Sequence, residues 1–150
     1  MIEFKRILYP VDLSEASDKM IPYVRSVAKK FDSKIYIFFA ARVFENYSSI
    51  YVSYPSISRF ENELIAGAEK RLYEFVDEHF SEHDNTKTVV VAGDASEEII
   101  NYIEEHHIDL VIMGTHGRKG MDKILFGSVA ERVLKTSPVP VMVVNPYKIG

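Results

Sequence analysis

The chain has 150 residues, 47% of them hydrophobic, and a formal charge of −4 at pH 7. This suits one globular domain over residues 1–150 and argues against the broad basic surface that nonspecific nucleic-acid binding requires. There is no cysteine, which excludes disulfides, thiolate metal sites and cysteine catalysis.

Five short apolar runs alternate with four stretches of helical period, the pattern of an α/β domain built on a parallel sheet. Residues 6–11 form the first run. Ser14 then stands where a helix N-cap belongs, ahead of Met20, Val24, Val27, Ala28 and Phe31, which share one helix face. Pro22 falls inside this pattern and removes an internal hydrogen bond, so a kink is expected, or a helix that begins near Asp18. The second run, residues 35–41, is apolar throughout, as a central strand covered on both faces should be. It is also strand-length, well short of the ~20 residues of a membrane span. The run after Lys5-Arg6 is too short for a signal peptide, so a cytoplasmic protein with no membrane partner is expected.

Residues 44–58 read as a turn-rich segment carrying Tyr47, Tyr51 and Tyr54: a mobile flap over a crevice, part of a partner surface, or a disordered loop. A helix follows with Phe60, Leu64, Ala68, Leu72, Phe75 and Val76 on one face and charged residues on the other. Residues 88–92 are the third strand, ended by Gly93. Asp94 precedes Glu97 at capping-box spacing, and Ile99, Ile100 and Ile103 form the buried stripe of a short helix. Residues 110–113 are the fourth strand and run into Gly114. Ser128 and Glu131 repeat the capping-box spacing before a helix with Val129, Val133 and Leu134 on its core side, and residues 139–144 close the sheet. Right-handed crossovers leave flavodoxin-like and Rossmann-like doubly wound sheets as the leading arrangements. In the Rossmann-like order strands one and four end side by side, which puts Asp12 and Gly114 at one crevice.

The chemistry concentrates after the fourth strand. Gly114-Thr-His116-Gly117 is followed by nine residues, including Arg118, Lys119 and Lys123, and then by Gly127-Ser128 at a helix start. Glycines let backbone amides approach an anion, and a helix N-terminus adds free N–H groups and a positive dipole end, so this stretch suits a polyphosphate. Each glycine also has a plain role as a turn, and Asp12 as a turn residue beside Ser14. A Walker A loop is absent, since no lysine stands beside Ser128, and the turn after strand one lacks the glycines of a dinucleotide fingerprint. His79 and His83 have helix-face spacing but Phe80 stands where HExxH needs glutamate, and their polar surroundings suit exposure. His106 and His107 would point about 100° apart on a helix. No protein-built metal site is expected, and no general base is paired with a nucleophile, so no catalytic residue is assigned.

Three motifs carry a resemblance. The Gly114-x-x-Gly117-(nine)-Gly127-Ser128 string with its flanking strands, the opening Ile-Leu-Tyr-Pro-Val-Asp12-Leu-Ser-Glu-Ala, and Gly93-Asp-Ala-Ser-Glu-Glu-Ile-Ile resemble the universal stress protein family in its ATP-binding branch. The resemblance covers nearly the whole chain. It implies a five-stranded parallel sheet in the order 3-2-1-4-5 with helices on both faces, Rossmann-like and similar to adenine nucleotide alpha hydrolases, usually as a homodimer. By matching position Pro10, Val11 and Asp12 would lie against the nucleoside, with Asp12 accepting from ribose hydroxyls. Ala40 matches an adenine-contacting position where relatives often carry valine. Met113 and Gly114 would border the nucleoside, and Gly117, Arg118, Gly127, Ser128 and Val129 the phosphates, with His116 in the same loop. The cofactor implied is ATP, with magnesium or manganese carried by its phosphates. The last strand, Val141, Met142, Val143 and Val144, has no charge to discourage pairing, so it is expected to meet its copy across a two-fold axis. The function expected is a nucleotide-responsive regulator of stress survival. The alternatives are a slow ATPase or autophosphorylating enzyme, and a stress-linked dimer that binds no nucleotide.

Overall fold

Alternation along the strands divides the core in two. The computed structural model describes residues 1–42, 54–83, 85–115 and 127–148. Within them the strands are β1 (Arg6–Pro10), β2 (Lys34–Ala41), β3 (Thr86–Ala92), β4 (Leu110–Gly114) and β5 (Val141–Val144). The helices are α1 (Glu15–Phe31), α2 (Tyr54–His79), α3 (Ala95–His106) and α4 (Ser128–Thr136). The five strands form a single parallel sheet in the order β3-β2-β1-β4-β5. Ile7 and Tyr9 of β1, with Ile35 and Ile37 of β2, join Met20, Val24 and Ala28 of α1 and Leu72 and Phe75 of α2 in one cluster. Leu8, Tyr36 and Phe38 belong to the other, with Ile99, Tyr102 and Ile103 of α3 and Ala130 and Val133 of α4. The period-2 geometry of a strand sends neighbouring side chains to opposite faces, so two buried faces require the near-continuous apolar runs seen in the sequence.

Several boundaries differ from the sequence expectation. Helix α1 starts at Glu15, not near Asp18, and keeps Pro22 inside it. Pro22 is on the exposed side, as is Asp18, whose carbonyl loses its usual partner, so water can satisfy that group. Helix α2 begins at Tyr54 and absorbs the end of the segment expected to be irregular; the rest of that segment, including Tyr47 and Tyr51, lies outside the described residues. Its first apolar positions, Phe60 and Leu64, are exposed, and only from Ala68 onward does the stripe bury. Among the described residues no helix is long and apolar enough to cross a membrane.

The sheet order reverses between β1 and β4. Their register is Ile7↔Leu110 and Leu8↔Val111, whereas β1 follows β2 from Arg6↔Lys34 to Pro10↔Phe38, and Val11 N–H still donates to the Phe38 carbonyl at 2.8 Å. At the amino edge Asp109 ties the same two strands, its Oδ2 accepting from the Lys5 and Arg6 amides at 2.9 and 2.8 Å. At the carboxyl edge the register pairs end early, at the switch point where ligands collect in open α/β sheets.

Candidate functional site

Asp12 stands just past the end of β1 and its two carboxylate oxygens have different surroundings. Oδ1 accepts from the Ser14 amide at 3.0 Å, the Ser14 hydroxyl at 2.5 Å and the Ser17 hydroxyl at 3.0 Å. The first of these is an Asx turn, the local device by which Asp fixes its own backbone two residues on. Oδ2 is buried and has no hydrogen-bond partner among the described residues. A buried oxygen of a carboxylate left unpaired costs about 1–3 kcal/mol or more, so the turn role accounts for one oxygen and leaves the other open.

The turn is built tightly. Leu13 sits at φ 62, the left-handed region that non-glycine residues seldom adopt. Ser14 occupies the N-cap of α1 as expected, but its hydroxyl goes to Asp12 and makes no cap bond. Ser17, in the first turn of α1 and buried, both donates to Asp12 Oδ1 and accepts from the Asp12 amide at 3.2 Å. The Ser17 carbonyl in turn accepts from the hydroxyl of Tyr9. Burial, helped by the nearby Asp18 and Asp12 carboxylates, pushes the Tyr9 phenol far above its ordinary pKa, so it remains a donor at any physiological pH.

Across the switch point β4 ends at Gly114, which is aligned with Val144 of β5, and Thr115 N–H donates to the Val144 carbonyl at 2.9 Å. Met113 and Thr115 are buried. The chain returns at Gly127, whose N–H donates back to the Thr115 carbonyl. A Cβ on Gly127 would lie 3.3 Å from that oxygen, so glycine here serves a close backbone approach.

Two expectations are therefore corrected. The Gly127 amide is satisfied internally and is not a free donor in this structure, and its φ of −60 makes no use of glycine's conformational range. Nor do Ser128 and Glu131 form a capping box: Gly127 is the N-cap, Ser128 is the first helical residue, and the Glu131 amide is the first to bond within the helix, to the Gly127 carbonyl at 3.0 Å. With no side chain at the cap, the amides of Ser128, Val129 and Ala130 have no acceptor within the helix. Ser128 is exposed and Val129 half-buried.

Of the other expected site residues, Pro10 and Ala40 are half-buried and Val11 is buried. Ala40 pairs with Val91 and packs on the α3/α4 side of the sheet. His116, Gly117 and Arg118, with Lys119 and Lys123, lie outside the described residues. The structure thus brings Asp12, the end of β4 and the start of α4 to one edge of the sheet. Ser17 and Tyr9 were not found by sequence reasoning. The signal for Ser17 was a serine three residues after the cap, where Glu or Gln would complete a capping box. One hydroxyl stands beside a carboxylate here, Ser14 Oγ donating to Asp12 Oδ1.

The histidines differ from expectation in exposure. His79 is half-buried, 3.6 Å from Asp18 and against the Phe75 ring, and His83 bonds the Ser33 carbonyl at 3.0 Å. Among the described residues no three His, Asp or Glu side chains converge on a metal position.

Beside Gly93, Asp94 caps α3 as its spacing predicted, accepting from the Glu97 amide at 3.1 Å. The Ser96 hydroxyl at 2.6 Å and then that amide, aided by Arg132 and Arg42, hold the Asp94 carboxyl below its ordinary pKa.

The model of the Universal stress protein family matches residues 3–145. The chain belongs to the universal stress protein family. The universal stress protein MJ0531 of Methanocaldococcus jannaschii is 32% identical, over 97% of this chain and 84% of that protein. The solved structure of MJ0577, a universal stress protein of the same organism, superposes with a TM-score of 0.83 at 28% identity, over 96% of this chain and 97% of that one. The universal stress protein of Archaeoglobus fulgidus in complex with dAMP shares the fold, with a TM-score of 0.68 at 16% identity over 96% of this chain and 100% of that one. The sheet order 3-2-1-4-5 with helices on both faces agrees with the sequence expectation.

Proposed function

We propose that this chain is an ATP-binding universal stress protein that acts as a nucleotide-responsive regulator in the cytoplasm, as a single domain over residues 1–150. The observation that carries the reading is the buried Asp12 Oδ2 without a partner among the described residues, at the carboxyl edge where β1 and β4 part. A ribose hydroxyl would satisfy it. Pro10, Val11, Ala40, Met113 and Gly114 would border the nucleoside. Helix α4 would offer the Ser128 and Val129 amides and its dipole to the phosphates, with His116, Gly117 and Arg118 completing that end and Gly127 holding the helix in place. The dAMP complex of a relative with the same fold supports an adenine nucleotide as the ligand class. Magnesium or manganese would arrive on the triphosphate, which asks for few protein ligands.

Isothermal calorimetry with ATP, ADP, AMP and cyclic AMP tests this reading. Saturable binding that strengthens with the number of phosphates is expected; no heat from any of the four would refute it.

The alternative of phosphate transfer onto the chain's own hydroxyls has one observation in favour, the Ser14 hydroxyl on Asp12 Oδ1. That oxygen already accepts two further hydrogen bonds, which leaves it poorly placed to take a proton. Regulation fits the site better. The edge strand β5, with Val141, Met142 and Val143 half-buried, is the surface through which a homodimer would form. Light scattering that returns a monomer would remove that part.

A further inference from the structure

We propose that Ser17 is a positioning residue that fixes which oxygen of Asp12 reads the ligand's sugar, so that the ribose hydroxyls are recognised through Oδ2 alone. This rests on the nucleotide reading above and adds to it a specificity device. The geometry is a relay from the core to the site. The Tyr9 hydroxyl, on a side chain 1% exposed, donates to the Ser17 carbonyl and so anchors the first turn of α1 against β1. The Ser17 hydroxyl, itself on a residue 6% exposed, donates to Asp12 Oδ1 at 3.0 Å and accepts from the Asp12 amide at 3.2 Å. Ser14 adds its hydroxyl and amide to the same oxygen. Three donors on Oδ1 saturate it. A carboxylate otherwise rotates freely about its terminal torsion and presents either oxygen; here the turn, with Leu13 at φ 62, locks that torsion and leaves Oδ2 without a partner among the described residues.

The consequence is chemical selectivity. Only one oxygen, with its remaining lone pairs, is available to accept, which suits neighbouring hydroxyls of an unmodified ribose converging on a single atom. A nucleotide lacking both hydroxyls would leave Oδ2 buried and unpaired, the situation in which a binding site discriminates most sharply.

Calorimetry with ATP and 2′,3′-dideoxy-ATP reads this directly. Wild type is expected to prefer ATP by about tenfold to a hundredfold, the range for a hydrogen bond to a charged group. Ser17→Ala removes one of the three donors on Oδ1 and loosens the carboxylate torsion, and is expected to narrow that ratio to about threefold or less, with dideoxy-ATP affinity little changed. Ser17→Thr retains a hydroxyl and is expected to restore the preference. Ser14→Ala, at the half-exposed start of α1, removes a second donor without disturbing the core and is expected to narrow the ratio as well, which keeps the test decisive if Ser17→Ala does not fold. Equal losses for both nucleotides in every variant that folds would mean that the serines support the helix and not the sugar site, and would overturn the inference alone. Absence of ATP binding by wild type would overturn the nucleotide reading, and this inference with it.

Discussion

Replacing Asp12 by asparagine separates the two jobs of one side chain. The amide oxygen can take the Oδ1 position, where the Ser14 amide and the Ser14 and Ser17 hydroxyls converge, and the amide nitrogen then replaces Oδ2. The three bonds persist but lose charge assistance, a change of about 1 kcal/mol each at most. The amide nitrogen that replaces Oδ2 is again buried and unpaired but carries no full charge, so its lower desolvation cost offsets only part of this, about 1–2 kcal/mol. The net effect on stability should lie within about 1 kcal/mol, or about 2–4 °C in Tm for a chain of this size. Asp12→Ala, by contrast, strips the acceptor from all three donors and should cost about 1–3 kcal/mol. ATP affinity should fall about tenfold to a hundredfold in the asparagine variant, because the ribose hydroxyls lose a charged acceptor. Thermal melts and calorimetry on the two variants measure both quantities. An asparagine variant that melts as low as the alanine variant while binding ATP as tightly as wild type would refute the division of roles between the oxygens.

Gly93 adopts φ +143 and a Cβ there would meet Glu98 Cγ at 3.0 Å; Gly93→Ala should lose about 1–3 kcal/mol, from the backbone and not the contact. Adding Glu98→Ala should therefore not restore the melting temperature, and full recovery would contradict this. Asp94 titrates below its ordinary value of 3.8 in the folded state, so its stabilisation is present above that value and is lost as pH falls through the folded-state pKa. Urea melts at descending acid pH should show a shallower loss of stability for Asp94→Asn than for wild type; identical slopes would remove Asp94 as a contributor. The Tyr102 hydroxyl is buried without a partner among the described residues, and burial, with Tyr36 nearby, pushes its pKa up to about 12. Tyr102→Phe should then be neutral or stabilising by about 1 kcal/mol, and a clear fall in Tm would indicate that the hydroxyl has a partner.

The strand runs were legible because two covered faces demand uninterrupted apolar residues, and each of the five appeared within two residues of its expected limits. Pro22 misled the reading of α1 because its cost depends on where the orphaned carbonyl points, and here Asp18 lies on the exposed side of the helix. The capping-box spacing was right at Asp94 and wrong at Ser128, where the helix starts one residue earlier than the pattern suggests and glycine takes the cap. That outcome follows from a long-range contact, Gly127 against the Thr115 backbone, which local spacing cannot encode. Asp12 was singled out in the sequence by its place at a strand end. The hold of Ser17 and Tyr9 on it was not, because it depends on a left-handed Leu13 and on a tyrosine three residues upstream pointing beneath the helix.

A crystal structure of the protein grown with ATP would examine the site most directly. The ribose hydroxyls are expected within about 3 Å of Asp12 Oδ2, with the phosphates at the Ser128 and Val129 amides and the Gly127 N–H still on the Thr115 carbonyl. A nucleotide bound elsewhere, or a sugar held by other groups while Oδ2 stays unpaired, would contradict the assignment of this edge of the sheet as the nucleotide site.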